Sequence, residues 1–370
     1  MPIKILSDLV DVVSEHISNP GTSGFEIFVG LEHYDSGDPV ITRYGSTNNL
    51  ASSVKHFVSG DILVARRNVY LRRAGVVRFE GVTSGDSIVL RVKDKEYSDI
   101  LPFILNTDDF WDYAEQNSDG TMSKRLAPDV LLEYECNIPD NHYQIANKLW
   151  AAYHLKESYK RLLTATDEMV KSQFIEMFGD CANRIKLSNL CSTFVDGDWI
   201  ESKDQSELGI RLIQTGNVGN GFFKDKEDKS RYISEETFDN LHCTEIYPGD
   251  ILVSRLPDPI GRACIIPQGL GRTITAVDCT IIRLKDIVLP DYFIAYTMTP
   301  SYVAQINEVT TGTTRRRVSR ANLGNILIPC PSIAKQQQFV AIAKQTDKSK
   351  FELHKSIDAI DQVIKSLINS

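Results

Sequence analysis

The chain states one pattern twice, and that repetition limits the possible folds more than any single motif. Gly60-Asp61-Ile62-Leu63 returns as Gly249-Asp250-Ile251-Leu252, 189 residues later. The segment from Thr83 to Arg91, with Asp86 ahead of an apolar run, returns 192 residues later from Thr275 to Arg283, with Asp278. Gly120-Thr121 is matched by Gly312-Thr313, and Ile138-Pro139 by Ile328-Pro329. Four matches in one order, with nearly constant offsets, indicate two copies of one module.

Each copy carries its signals in the same sequence. Short β-like runs come first, separated by glycine, proline and polar turns. They lie at Phe25 to Leu31, Ile62 to Ala65 and Ile88 to Val92, then at Ile210 to Gln214, Ile251 to Ser254 and Thr280 to Leu284. A short helix is predicted near Tyr97 to Glu115 and again near Asp291 to Val309. Each copy then ends in a long stretch without proline or glycine, from about Asp140 to Phe178 and from about Ser332 onward.

In the first of these stretches Ile145, Leu149, Ala152, Leu155, Tyr159, Leu162 and Met169 keep mostly helical spacing. In the second, Leu353, Ile357, Ile360, Ile364 and Leu367 do the same. Pro139 and Pro331 stand at the entrances, where a missing N–H costs nothing. A helix of either length would extend about 55 Å and needs a partner for its apolar stripe. The two are predicted to pair antiparallel, Leu149, Ala152, Tyr159 and Leu162 facing Leu353, Ile357, Ile360 and Ile364. The alternative is that each helix is broken and packs on its own module.

The expected fold class is therefore α/β: duplicated α/β domains separated by two long antiparallel coiled-coil helices. Its boundaries are 1–138 for the first domain, 139–179 for the central helix, 180–330 for the second domain and 331–370 for the C-terminal helix.

Signs of chemistry are few. The seven histidines are scattered, and the seven cysteines form no Cys-x-x-Cys pair, so neither a metal site nor a disulfide framework is expected. Phosphate-loop and nucleophile-elbow motifs are absent. Gly216 to Gly221 is glycine-rich, but it lacks the lysine and following helix of a nucleotide cradle and reads as a hairpin. Asp61 and Asp250 read as turn residues. No apolar run approaches the about 18–20 residues needed to cross a bilayer, and no basic-apolar leader follows Met1, so a cytoplasmic protein without membrane contact is expected.

With 41 basic against 49 acidic residues the net charge is -8, which argues against nucleic acid coating the whole surface but permits a local basic face. The cations are in fact clustered. Arg66, Arg67, Arg72 and Arg73 crowd one stretch of the first copy, with Lys55 and Arg78 nearby. Arg255, Arg262 and Arg272 occupy the related stretch of the second. Lys124-Arg125 follow Gly120-Thr121 as Arg315-Arg316-Arg317 follow Gly312-Thr313, and Arg320 adds another charge. Basic loops of this kind neutralise phosphates while selected side chains reach base edges. Thr215 and Asn217 are weaker loop candidates for the same surface. A solvated charge run, on a non-catalytic protein-binding scaffold with duplicated domains, is the competing reading.

Further motifs narrow the choice. They are Tyr247-Pro248-Gly249-Asp250-Ile251-Leu252-Val253, Gly312-Thr313-Thr314-Arg315, Leu327-Ile328-Pro329-Cys330-Pro331 with Gln336-Gln337-Gln338, and Phe174-Ile175-Glu176-Met177-Phe178-Gly179. The first copy adds Val29-Gly30-Leu31-Glu32-His33 and Asn137-Ile138-Pro139. In these motifs, their order and their duplication, the chain resembles the specificity subunit of Type I restriction-modification systems.

The resemblance implies two target-recognition domains, each reading half of a split sequence in double-stranded DNA. It also implies conserved helices that set the spacing and bind two methyltransferase subunits, with two restriction subunits where a cleavage function exists. Such a subunit is non-catalytic and carries no cofactor. S-adenosylmethionine would belong to the methyltransferase partner, ATP and Mg to the restriction partner. Gly30 to Gly45 differs from the region around Gly209 to Phe223, so two unlike half-sites are expected.

Overall fold

A computed structural model describes residues 3–368, apart from 23, 49, 51, 121 and 122. Thr121 of the repeated Gly-Thr pair and the last two residues of the C-terminal span thus lie outside the described residues. The chain divides into two compact units: Met1–Lys160 with His354–Ser370, and Arg161–Leu353.

The duplication is built into the backbone of both units. Unit one has a sheet ordered Val10–Val13, Ser87–Val92, Ile62–Ala65, Ala74–Val77 and Val40–Ile41. Unit two has Cys191–Asp196, Cys279–Leu284, Ile251–Ser254 and Ala263–Ile265 in the corresponding order. Register is kept as well: Ile62 lies opposite Leu90, and Ile251 opposite Ile282. The central strands are buried along their whole length, which is why they read as continuous apolar runs instead of alternating ones.

A parallel pair also recurs, Ile27–Val29 with Gly81–Thr83 and Ile210–Ile213 with Thr273–Thr275. In each, a buried threonine donates its hydroxyl to the neighbouring strand: Thr83 Oγ1 to Val29 O at 2.7 Å, and Thr275 Oγ1 to Ile213 O at 3.0 Å. Ile3–Ile5 pairs with Glu135–Asn137 in unit one, and Arg184–Lys186 with Leu327–Pro329 in unit two.

The two aspartates read as turn residues carry more than a turn. Gly60 and Gly249 have φ of 98° and 93°, a region that glycine enters freely. Each turns the chain so that the next carboxylate points inward. Asp61 accepts the Val58 N–H at 2.9 Å and two bonds from Arg91 at 2.8 and 2.7 Å. Asp250 accepts the Tyr247 N–H at 2.8 Å and bonds from Arg283 of 2.9 to 3.1 Å. A buried carboxylate is tolerable only with such partners.

Where one short helix per copy was expected, there are two. Unit one has Leu101–Ile104 and Asp108–Gln116; unit two has Pro290–Thr297 and Pro300–Val309. The break falls at Thr107 and Thr299, whose hydroxyls cap the second helix by accepting the N–H of Phe110 and Tyr302.

The long helices are unbroken, His142–Phe178 and Ile333–Ile368, but they do not form a coiled coil. In unit one, Ile145, Ala146, Leu149 and Tyr153 of the first helix enter the unit's own core, with Ile364, Leu367 and Ile368 packed against it. In unit two, Phe339 of the second helix meets Phe174 and Phe178 of the first at 5.1 and 5.8 Å between ring centroids.

Within each unit the two helical segments run antiparallel. Lys156 pairs with Asp361 at 2.5 Å in unit one, and Asp167 with Lys350 at 3.0 Å in unit two. The heptad-spaced Leu155, Leu162 and Met169 are instead exposed, at 46%, 49% and 52%. Within each unit the buried apolar face of the helices follows the local core. Of the other residues expected to pair, Ala152, Tyr159, Leu353, Ile357 and Ile360 are half-buried.

Candidate nucleic-acid interface

In each unit a hairpin lies beside the turn that leaves the central strand. In unit one, the hairpin joining Asp119 to Arg125 is stitched to that turn by Leu126 N–H to Arg66 O at 2.8 Å and Asn68 N–H to Lys124 O at 3.0 Å. In unit two, the hairpin joining Thr311 to Arg317 is held by Val318 N–H to Arg255 O at 3.2 Å. Basic segments far apart in sequence are thereby brought together twice: Arg66 and Arg67 with Lys124 and Arg125, and Arg255 with Arg315, Arg316, Arg317 and Arg320.

Each cluster is organised by an aspartate. Asp86 lies between Arg67, at 3.6 Å, and Arg125, at 3.2 Å, while Arg67 Nε also donates to Ser123 Oγ at 2.9 Å. Asp196 lies between Arg255, at 3.4 Å, and Arg320, at 4.0 Å. One carboxylate shared by two guanidinium groups leaves a net positive patch with fixed geometry. Arg67 and Arg125 keep 44% and 53% of their side chains exposed.

Arg316 reaches Asp258 at 3.7 Å, and the side chains of Arg315 and Arg317 are exposed with no ion pair among the described residues. Lys124 donates to Glu115 O at 3.0 Å. Lys55, buried nearby, donates to Ser87 O at 2.8 Å. Burial lowers its pKa, as does the Arg66 charge, while Asp86 opposes the shift.

Other predicted cations have structural partners. Arg73 donates to Leu31 O and Arg67 O, both at 3.0 Å. Arg262, its counterpart 189 residues on, donates to Thr215 O, Val218 O, Pro257 O and Pro259 O at 2.5–2.9 Å. Burial lowers the pKa of both. They brace the turns between strands. Arg72 pairs with Asp108 at 2.5 Å and Asp112 at 3.5 Å. Arg272 is held by Glu245 and Glu235 and covers the Phe238 ring at 4.8 Å.

Thr215 and Asn217 form a buttress. Asn217 Oδ1 accepts the Gln214 N–H at 3.0 Å, and its Nδ2 donates to Lys224 O at 3.0 Å. The hairpin expected at Gly216 to Gly221 is present, bridged from Val218 to Phe223. In unit one, His33 Nδ1 accepts the Gly30 N–H at 2.9 Å in the same place. Regions without visible likeness thus share one turn, because His and Asn offer an acceptor at equal reach. Sequence reasoning missed His33, Ser123, Asp196 and the Arg91 and Arg283 clamps. The arginines had left a signal at the end of the repeated segment, and His33 closed a quoted motif without a role being assigned to it.

Among the described residues no group of three or more His, Cys, Asp or Glu could hold a metal ion, and no helix is long and apolar enough to cross a membrane.

Two units of one topology, each with a basic hairpin beside the exit of its central strand, define a duplicated binding module. Residues 185–362 match the family model described as Type I restriction modification DNA specificity domain.

One solved structure, from a study of complex assembly and conformational transition of the type I R-M system, is 16% identical with a TM-score of 0.60. The likeness covers 100% of this chain and 96% of that one. The Type-I restriction-modification system S subunit from M. genitalium is 13% identical with a TM-score of 0.51, covering 99% of this chain and 94% of that one. These likenesses show the fold. A search of curated proteins finds no match.

Proposed function

We propose that this chain is the non-catalytic address-reading subunit of a multisubunit DNA methyltransferase, each unit contacting one half of a split, asymmetric site in double-stranded DNA. The observation that carries this reading is that the family-matched half of the chain and the other half place the same basic hairpin beside the same strand exit. Exposed Arg67, Arg125, Arg315 and Arg317 are assigned to phosphates or base edges, and Arg73 and Arg262 to holding the turns. In this reading the recognition domains are 1–138 and 180–330, and the helices at 139–179 and 331–370 set the spacing and bind two methyltransferase subunits. Adenine extraction and methyl transfer belong to those subunits, because chemistry on a stacked base requires removing it from the duplex. Two restriction subunits would join where cleavage occurs.

Co-expression with the methyltransferase subunits, followed by mapping of methylated adenines, tests the proposal. A bipartite motif with two different halves is expected. Identical inverted halves would remove the asymmetry, and random or absent methylation would remove the function. Arg125→Ala and Arg317→Ala should each reduce the salt slope of binding by about one. A protein-docking scaffold would show no sequence-selective, salt-dependent DNA binding.

A further inference from the structure

The corresponding turns after the two central strands differ at their tips. In unit one the turn runs Arg66-Arg67-Asn68-Val69-Tyr70-Leu71-Arg72-Arg73, and in unit two Arg255-Leu256-Pro257-Asp258-Pro259-Ile260-Gly261-Arg262. Position for position, Arg72 and Gly261 are both left-handed, with φ of 49° and 80°. Asn68 is left-handed too, at 54°. Asparagine enters that region readily, but for Arg72 it costs about 1–2 kcal/mol, so the rest of the unit must impose the conformation there. Val69 is buried in the core, Asn68 N–H is held by Lys124 O, and Arg72 is held by Asp108. This scaffolding presents Tyr70 and Leu71 outward, 59% and 37% exposed. In unit two Pro257, Asp258 and Pro259 are also exposed, but Arg262 binds the carbonyls of the two prolines, the position of Tyr70 holds the small Pro259, and Ile260, in the place of Leu71, packs on the core.

Tyr70 and Leu71 thus form a rigidly held apolar tip open to a partner. The same turn carries Arg67, whose backbone bridges to Arg125, and these are the two half-exposed cations of the basic cluster, so the complementary partner is a polyanion with apolar faces between its charges. A base-paired duplex has that chemistry, with phosphates outside and base steps within. Apolar side chains set among cations can wedge into such a step, partly unstack it and kink the duplex by about 20–90°.

We propose that Tyr70 and Leu71 form a wedge that enters one base step of the half-site read by unit one, and that unit two has no equivalent in the corresponding turn. This rests on the DNA-reading function proposed above. It adds a second kind of selectivity at that half-site, since easily unstacked steps would be favoured without hydrogen bonds to their bases.

The test uses the complex of this chain with its methyltransferase subunits, bound to duplexes carrying 2-aminopurine at successive positions of the half-site, the target adenine excluded. Wild type should brighten one step several-fold. The Tyr70→Ser, Leu71→Ser double variant should lose that signal while melting at the wild-type temperature and methylating with relaxed preference at that half only. Pro259→Ser should leave the signal unchanged. Absence of any bright step in a wild-type complex that methylates its site would overturn the wedge alone, as would a signal surviving in the double variant. Loss of methyltransferase subunits from the double variant on size exclusion would show that the tip docks on protein, and would also overturn it. A wild-type complex without sequence-selective methylation would overturn both the wedge and the function beneath it.

Discussion

The two units share a frame and fill it differently. In unit one the second short helix presents Phe110, and the helix before it Ile104. In unit two the matching positions, 192 residues on, are Tyr302 and Tyr296. The tyrosines do more than occupy volume: Tyr302 Oη donates to Gly261 O at 2.8 Å and Tyr296 Oη to Leu327 O at 3.1 Å, with Tyr292 Oη donating to Pro329 O at 3.0 Å. Unit two thus ties its turn and its closing strand to the helices through hydroxyls that Phe110 and Ile104 lack. Both units nevertheless keep the Asp–Arg clamp and the threonine-to-carbonyl bond. The Asp–Arg clamp and the threonine-to-carbonyl bond therefore define the shared frame, while the helix side chains packed against it differ in size and in hydrogen bonding.

Three experiments bear on that comparison. The largest effects are expected where the long helices enter the cores. Phe339→Ala should cost about 3–5 kcal/mol and Leu149→Ala, its counterpart, about 2–5 kcal/mol, read by denaturant unfolding. A Phe339→Ala loss well below that of Leu149→Ala would mean that the aromatic cluster of Phe174, Phe178, Tyr292 and Phe339 is not the pivot of unit two.

Next come the clamps. Asp61→Ala and Asp250→Ala should each lose about 2–3 kcal/mol, because a backbone N–H and a guanidinium lose their shared acceptor. Clearly unequal losses would break the equivalence of the two copies.

The smallest effect belongs to unit one alone. His56 lies between Glu15 and Glu80, each ring nitrogen 2.9 Å from a carboxylate, and both nitrogens can donate only in the imidazolium form. Burial opposes that charge, but the hydrogen bonds that His56 donates to the two glutamates outweigh it and hold its pKa above the usual value of 6.5. A raised folded pKa adds stability that is complete below about 6.5 and is lost as pH rises through the folded value. Stability of unit one should accordingly fall through that window, and His56→Ala should flatten the dependence. An unchanged pH profile in the variant would assign the effect elsewhere.

Some elements were plain in the residues. Ile62 to Ala65 and Ile251 to Ser254 coincide with the observed strands, because an unbroken run of three or four apolar residues after Gly-Asp has few other uses. The long helices and their antiparallel contact were equally legible from uninterrupted three- and four-residue spacing, yet the residues that carry the contact were not. Periodicity identifies a face without saying what covers it, and Leu162 looked as apolar in spacing as Leu149, which is fully buried. The arginines pose the same difficulty. Arg67 and Arg73 stand in one cluster, but Arg67 remains half-exposed whereas Arg73 spends its donors on carbonyls from Leu31 and its own turn.

What the sequence alone determined is duplication, element order and the residence of positive charge in two repeated places, since each is a property of residues near one another in the chain. Only the tertiary structure decided which cations converge, which are braced by Asp86 and Asp196, and which serve as struts. The reason is physical: a guanidinium has five N–H donors and no preference of its own between carbonyl, carboxylate and solvent, so its role follows from the partner that folding brings within about 3 Å.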